Sequence, residues 1–223
     1  MIRKERFLVS FFCLLIALLI TNQLQAQDTP LKLYGIQSGI IEYKYAGNEV
    51  GVGTLYFDNY GNRCAMKMDT KRDAELNKGW VISLGEYQYI YDKSRSNEGW
   101  KLKNPIIEWI QQNSLEEIEK YTEEIYAKLG IVRAGTEKYL GKECLAYKGE
   151  NGKLLTWNGI LMYLNLNFGG ELTQQEVTSI RVNIPVDEKY FEIPKDVKFS
   201  DLPIFGTEGY EEEEEDSGDE DEE

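Results

Sequence analysis

From Gly39 onward the chain alternates apolar and polar residues with a period of two. Ile41, Tyr43 and Tyr45 alternate with Glu42 and Lys44. Thr54–Phe57 follows as a second strand, and Asp58-Asn59-Tyr60-Gly61-Asn62 supplies Asx and Gly residues that suit a reversal. Cys64, Met66 and Met68 then alternate with Ala65 and Lys67. Trp80–Leu84 is a short apolar strand, Gly85-Glu86 a turn, and Tyr87–Asp92 an aromatic strand. Strands at this spacing predict an antiparallel meander.

The period changes between Asn104 and Gly130. Pro105 suits a first helical turn, and Ser114 with Glu117 has the form of a capping box. Leu115, Ile118, Tyr121, Ile125 and Leu129 recur at helical spacing, and Gly130 is a stop signal. The expectation is a short helix near 106–112 and a longer one near 115–129. Strand chemistry returns at Thr136. Glu143–Lys148 and Lys153–Asn158 flank a Gly-Glu-Asn-Gly turn, where Asn151-Gly152 reads as the hairpin signal. Gly159 permits a bend. Strict alternation in the next strand puts Ile160, Met162, Leu164 and Leu166 on one wholly apolar face. Ile180, Val182 and Ile184 form the apolar side of a further strand.

The two ends do not belong to this pattern. Arg3, Lys4 and Arg6 precede the apolar run Phe7–Ile20, and Leu24-Gln25-Ala26 offers a cleavage site. That is a secretory signal peptide over 1–26. The run is shorter than the roughly 18 residues of a membrane span, so no stable span is expected after cleavage. Cys13 lacks the small residues of a lipobox before it, so a lipoprotein is not expected. Residues 27–38 read as a linker and 39–205 as the folded domain. Residues 206–223 form a tail in which 211–223 carries eleven acids and no base. Such a tail cannot bury enough surface to offset chain entropy.

Charge and residue inventory then exclude functions. The formal charge is −14, but most of it sits in the tail, and the body is mildly acidic. Phosphate affinity needs clustered Lys and Arg, so no nucleic-acid partner is expected. The chain has no histidine, which removes Ser-His-Asp and Cys-His catalysis and the usual zinc motifs. No phosphate loop appears. Cofactors, metals and catalytic residues are all expected to be none. Glu42, Asp58, Glu86 and Asp92 remain as acids near strand ends, with solvated turn residues as the plainer reading. Cys64 and Cys144 either form a disulfide on the export route or are two buried thiols.

Some apolar residues have two readings. Tyr87, Tyr89 and Tyr91 form a stripe that is either a pocket wall or ordinary sheet packing. Met66 and Met68 are adaptable fillers of a pocket or a core. Trp80, Trp100, Trp109 and Trp157 are expected to anchor sheet against helix.

Three stretches resemble, in this order, the periplasmic lipoprotein-carrier superfamily (LolA/LolB-like). GTLYFDNYGNRCAMKM resembles its early hairpin, WVISLGEYQYIYD its strand, Gly turn and aromatic strand, and DEKYFEIPKDVKF its closing segment. The family's functional arginine has no counterpart here, since Asp58-Asn59 stand in its place. The resemblance implies an α+β fold: an antiparallel, strongly curved incomplete β-barrel of about eleven strands wrapped around two central helices. It implies an exported, non-enzymatic protein of the periplasm, binding an acyl chain or lipoprotein in its concave face. The ligand-facing residues expected are Tyr43, Phe57, Met66, Met68, Tyr89, Ile118, Ile125, Ile160, Met162 and Leu164. Ile118, Tyr121, Ile125 and Leu129 are expected to point into the sheet opposite Ile160, Met162 and Leu164. The alternative is a solid-core scaffolding module that binds another envelope protein.

Overall fold

A computed structural model describes residues 32–104, 107 and 115–201. The expected signal peptide, the first helix apart from Ile107, and the acidic tail lie outside the described residues. The first strands are β1 (Gly39–Gly47), β2 (Glu49–Asp58), β3 (Arg63–Arg72), β4 (Glu75–Asn77), β5 (Trp80–Leu84), β6 (Tyr87–Tyr91) and β7 (Glu98–Lys103). The helix α1 (Leu115–Lys128) precedes β8 (Ile131–Tyr139), β9 (Lys142–Gly149), β10 (Gly152–Trp157), β11 (Ile160–Phe168) and β12 (Glu171–Val182). A last short strand, β13, covers Lys198–Asp201.

Among the described residues all thirteen strands join one sheet, in the order β13-β7-β6-β5-β3-β2-β1-β12-β11-β10-β9-β8, with β4 on the end of β3. The sheet is strongly curved and does not close; β13 and β8 are its edges. It has more strands than the eleven expected.

Turn chemistry explains the reversals. Asn59, Tyr60 and Gly61 all take left-handed angles between β2 and β3, with φ of 46°, 58° and 90°. Asn158 and Gly159 do the same between β10 and β11, at 51° and 79°. These two positive φ values make a two-residue hairpin of the Asn-Gly kind. Asn151 does not share that role. Its side chain instead donates to the Leu129 carbonyl at 2.9 Å, satisfying an orphan acceptor at the end of α1.

The face assignment in β11 departs from strict alternation. β10 and β11 pair as Leu155↔Tyr163 and Thr156↔Leu161, so Met162 is an extra residue in a bulge. A bulge shifts every later side chain to the opposite face. Ile160 and Met162 therefore join the main core with Ile41, Tyr43, Leu55, Phe57, Cys144, Ala146, Leu155 and Val177. Leu164 and Leu166 join a separate cluster around Ile131, Tyr147 and Leu154, against which Tyr126 and Leu129 pack. The β11–β12 ladder begins only at Tyr163↔Glu176, so Ile160–Met162 run free of β12. There the Tyr139 hydroxyl donates to the Val177 carbonyl at 3.1 Å.

Residues 32–38 are more than a linker. Ile36 is buried in the main core, and Tyr34 meets Phe57 edge-on at 4.9 Å. Backbone bonds tie Tyr34 to Tyr60 and Gly35 to Asn158. At the other terminus, residues 183–197 form a strap over one face of the first half. Phe191 is buried there with Ala65 and Ile82, and Tyr190 stacks on Tyr56 at 3.8 Å. Arg63 lies over the Phe191 ring and pairs with Glu188.

Candidate functional site

Register defines which apolar residues share a face, because directly opposed residues of antiparallel strands point the same way. Ile180 opposes Ile41, Ile41 opposes Leu55, and Leu55 opposes Met66. Met66 opposes Val81, Val81 opposes Ile90, and Ile90 opposes Trp100. The result is an unbroken apolar lane across β12, β1, β2, β3, β5, β6 and β7. Its burial is graded. Ile41 is fully buried and Leu55 nearly so, Met66, Val81 and Ile90 are half-buried, and Trp100 is 48% exposed. With strands about 4.8 Å apart, the half-open stretch from Met66 to Trp100 is roughly 14 Å long. A parallel row, Phe57, Cys64, Ser83, Gln88 and Leu102, flanks it on one side. Tyr43, Gly53 and Met68 flank it on the other.

The structure brings some expected site residues together and separates others. Tyr43, Phe57, Ile160 and Met162 sit in the main core, with Met66 packed against it. Met68 lies on the same face by register. Tyr89 is on the opposite face: it opposes Ile82, which opposes Ala65, and Phe199 of β13 covers it at 5.2 Å. Leu164 belongs to the cluster under α1. Ile125 is 38% exposed, so of the expected helical stripe only Leu129 is seen against the sheet. The side chains of Ile118 and Tyr121 fall outside the described residues. Among the described residues no tryptophan joins the cluster that packs with α1. Trp80 packs on the strap face, Trp157 on the main core, and Trp109 lies outside the described residues. Sequence reading missed Val81, Ile90, Trp100 and Leu102. The aromatic stripe on β6 drew attention to the face that the strap covers, whereas Gln88 and Ile90 between those tyrosines mark the open one.

Burial dominates the surroundings of the ionisable groups beside the lane. Cys64 and Cys144 are both free thiols. Cys64 donates to the Gly61 carbonyl at 3.0 Å, and burial pushes it up to about 12, far from a thiolate at neutral pH. Burial likewise raises Cys144, Tyr34 and Tyr43, and pushes Tyr45 up to about 12. The candidate acids have structural surroundings. Asp92 accepts from the Ser94 amide at 2.9 Å, the Ser94 hydroxyl at 2.6 Å and the Lys78 amide at 3.0 Å. Asp58 lies 3.4 Å from Arg63, which Glu188 also engages. Glu42 and Glu86 are exposed.

No family model matches the sequence, and no curated protein matches it. The chain is similar in structure to an uncharacterized conserved protein from Thermus thermophilus, with a TM-score of 0.50 and 7% identity over 75% of this chain and 92% of that one. Weaker likenesses are to PNGF-II, at a TM-score of 0.39 and 11% identity over 74% of this chain and 31% of that one, and to a DUF1329 family protein from Desulfovibrio piger, at a TM-score of 0.26 and 12% identity over 72% and 91%. The first shows that this fold recurs in another protein. Among the described residues no helix is long and apolar enough to cross a membrane.

Proposed function

We propose that the protein is an exported, non-enzymatic protein of the cell envelope that holds a hydrophobic ligand, such as an acyl chain or a lipoprotein's lipid, along the graded lane. The observation that carries this reading is the continuity of Ile41, Leu55, Met66, Val81, Ile90 and Trp100, buried at one end and open at the other. Apolar surface left half-open on one sheet face gains free energy by leaving water. A slim apolar chain laid across the strands would cover it without unpairing any backbone group. The high thiol and tyrosine pKa values beside the lane support binding over chemistry. A cavity-free scaffold that binds an envelope protein is the second reading. The near-complete burial of Tyr43, Phe57, Ile160 and Met162 as packed core favours it.

Native mass spectrometry after mild extraction tests the first reading, together with binding of a fluorescent fatty acid. Val81→Asp and Ile90→Asp each place a charge in the lane. Both are expected to lower fatty-acid affinity at least about tenfold while leaving the circular dichroism spectrum unchanged. A wild-type protein that always emerges empty and takes up no fatty acid would favour the scaffold.

A further inference from the structure

The apolar lane opens widest beside β13. Ser200 pairs with Trp100 of β7, so both lie on the lane face. Their neighbours Phe199 and Gly99 lie on the strap face, where Phe199 meets Tyr89 and Tyr91. Trp100 is 48% exposed, and Val81, Ile90 and Leu102 on the same face are half-buried. Among the described residues, none of these four joins a hydrophobic cluster. The strap covers only the opposite face of β5 and β6. An indole and three aliphatic side chains thus keep apolar surface in water at the point where the chain leaves the sheet. It leaves at Asp201, opposite Lys101, and the next residues are Leu202-Pro203-Ile204-Phe205. Beyond them Tyr210 is the one large ring, and 211–223 carries eleven acids. Pro203 has no amide with which to prolong the ladder, so edge pairing stops where the apolar run begins.

We propose that the open end of the lane, around Trp100, Leu102 and Ile90, is a docking surface for the chain's own Leu202–Phe205 segment. Connection and chemistry select this occupant. The alternation that turns Ser200 to the lane face turns the next-but-one position, 202, to it as well, in step with Leu102. Four extended residues reach about 14 Å, as far as the half-open stretch of the lane runs. The segment is tethered one strand away from Trp100, at an effective concentration that a separate partner would have to outcompete. Docking takes apolar surface out of water on both sides: the Leu, Ile and Phe side chains of the segment, and Trp100 and Leu102 of β7. The acids of 211–223 favour water and would not follow it into an apolar site. The cover lies on the face opposite Phe199 and the strap. A ligand entering the lane from this end must displace it, but the docking itself does not depend on the lane taking a lipid.

Two faces of one hairpin make the test direct. Gln88 opposes Leu102 on the lane face, and Lys101 opposes Tyr89 on the strap face, directly beside Asp201. Gly206→Cys, which leaves Leu202–Phe205 intact, is combined with Gln88→Cys in one full-length chain and with Lys101→Cys in another. Both are oxidised mildly, with the wild type as control for Cys64 and Cys144. The Gln88 pair should form its intramolecular disulfide at least about tenfold faster, since a tethered group reacts where its geometry places it. Equal rates, or faster closure on Lys101, overturn the proposal. Hydroxyl-radical footprinting of the full chain, which reads Trp100 by itself, gives an independent measurement. Leu202→Ser, Ile204→Ser and Phe205→Ser together should raise Trp100 oxidation at least about twofold, because the apolar surface they cover returns to water. Trp80 and Trp157 should keep their wild-type reactivity. Trp100 oxidised equally in both chains would show that the segment does not cover it and would overturn the docking. Neither measurement uses a lipid, so the cover can fail while lipid binding stands, and the reverse.

Discussion

Asp92 and Asp58 are both carboxylates at strand ends, yet their surroundings push them in opposite directions. Burial raises Asp92, but hydrogen bonds from Ser94 and Lys78 and the charge of Arg95 outweigh it and hold it below the ordinary carboxylate value. Burial raises Asp58, and the nearby Glu188 adds to this, with Arg63 opposing. The linkage signs differ accordingly. Asp92, with its folded pKa lowered, contributes stability above its unfolded pKa of about 3.9, and that contribution is lost as pH falls through the folded value. Asp92→Asn is expected to cost about 1.5–3 kcal/mol at pH 7, the range for hydrogen bonds to charged groups. Urea melts repeated at falling pH should show the gap from wild type closing below the ordinary carboxylate range. Asp58, with its folded pKa raised, favours the fold most when protonated and loses that benefit as pH rises through the folded value. Asp58→Asn should therefore leave stability at pH 7 unchanged or higher. A large loss there would mean that the Arg63 contact at 3.4 Å outweighs the burial of a carboxylate oxygen without a hydrogen-bond partner. Sequence placed both acids near strand ends but could not tell them apart, because groups that help decide each pKa arrive from distant residues such as Glu188 and Lys78.

At the scale of the element, strand identity was legible and strand phase was not. Period-two alternation located β1, β3, β5, β6 and β11, and helical spacing located α1. A single inserted residue at Met162 then defeated the face assignment of β11, since alternation carries no memory across a bulge. The C-terminal end of the helix, through Tyr126 and Leu129, shares a cluster with Leu164 and Leu166, whereas Ile160 and Met162 belong to the main core. The parallel β13 was illegible for another reason: its partner β7 is roughly a hundred residues away, and nothing local encodes that pairing. The strap was visible only as a closing segment, with no sign that it would cover Tyr89 and leave Ile90 open. Two truncations separate the roles of helix and bulge. Met162 is fully buried, so Met162→Ala should cost about 2–5 kcal/mol, the usual range for emptying a core site. Ile125 is 38% exposed, so Ile125→Ala should cost below about 1 kcal/mol. Chemical denaturation of the two variants measures both. Equal costs would place Ile125 in a packed interior that its exposure contradicts.

For the whole molecule, stability should be graded from the centre of the sheet outward. β1 and β2 are paired on both sides, as is β12 over Thr173–Glu176, and the three strands contribute Val177, Ile41, Tyr43, Leu55 and Phe57 to the main core. The flanks depend on separate clusters. The strap face rests on Ala65, Ile82 and Phe191, and the α1 face on Ile131, Tyr147 and Leu154. Each can open without unpairing the centre, because the opening free energy of a region follows the burial it would give up. Amide hydrogen exchange should find the slowest protons in β1, β2 and β12, with faster exchange in β13 and β8 at the edges. Phe191→Ala removes the strap's largest anchor. It is expected to speed exchange in β5, β6, β7 and β13 while leaving β9, β10 and β11 close to wild type. The separation holds because the strap cluster contains no residue of those last strands. Uniform acceleration across the sheet would show instead that the clusters unfold together and that the open sheet behaves as one cooperative unit. The same measurement bears on ligand binding. An apolar chain seated along Met66, Val81 and Ile90 would slow exchange in β3, β5 and β6, on strands whose other face the strap already covers. Protection gained there, and retained in Phe191→Ala, would place the ligand on the lane side of the sheet and not beneath the strap.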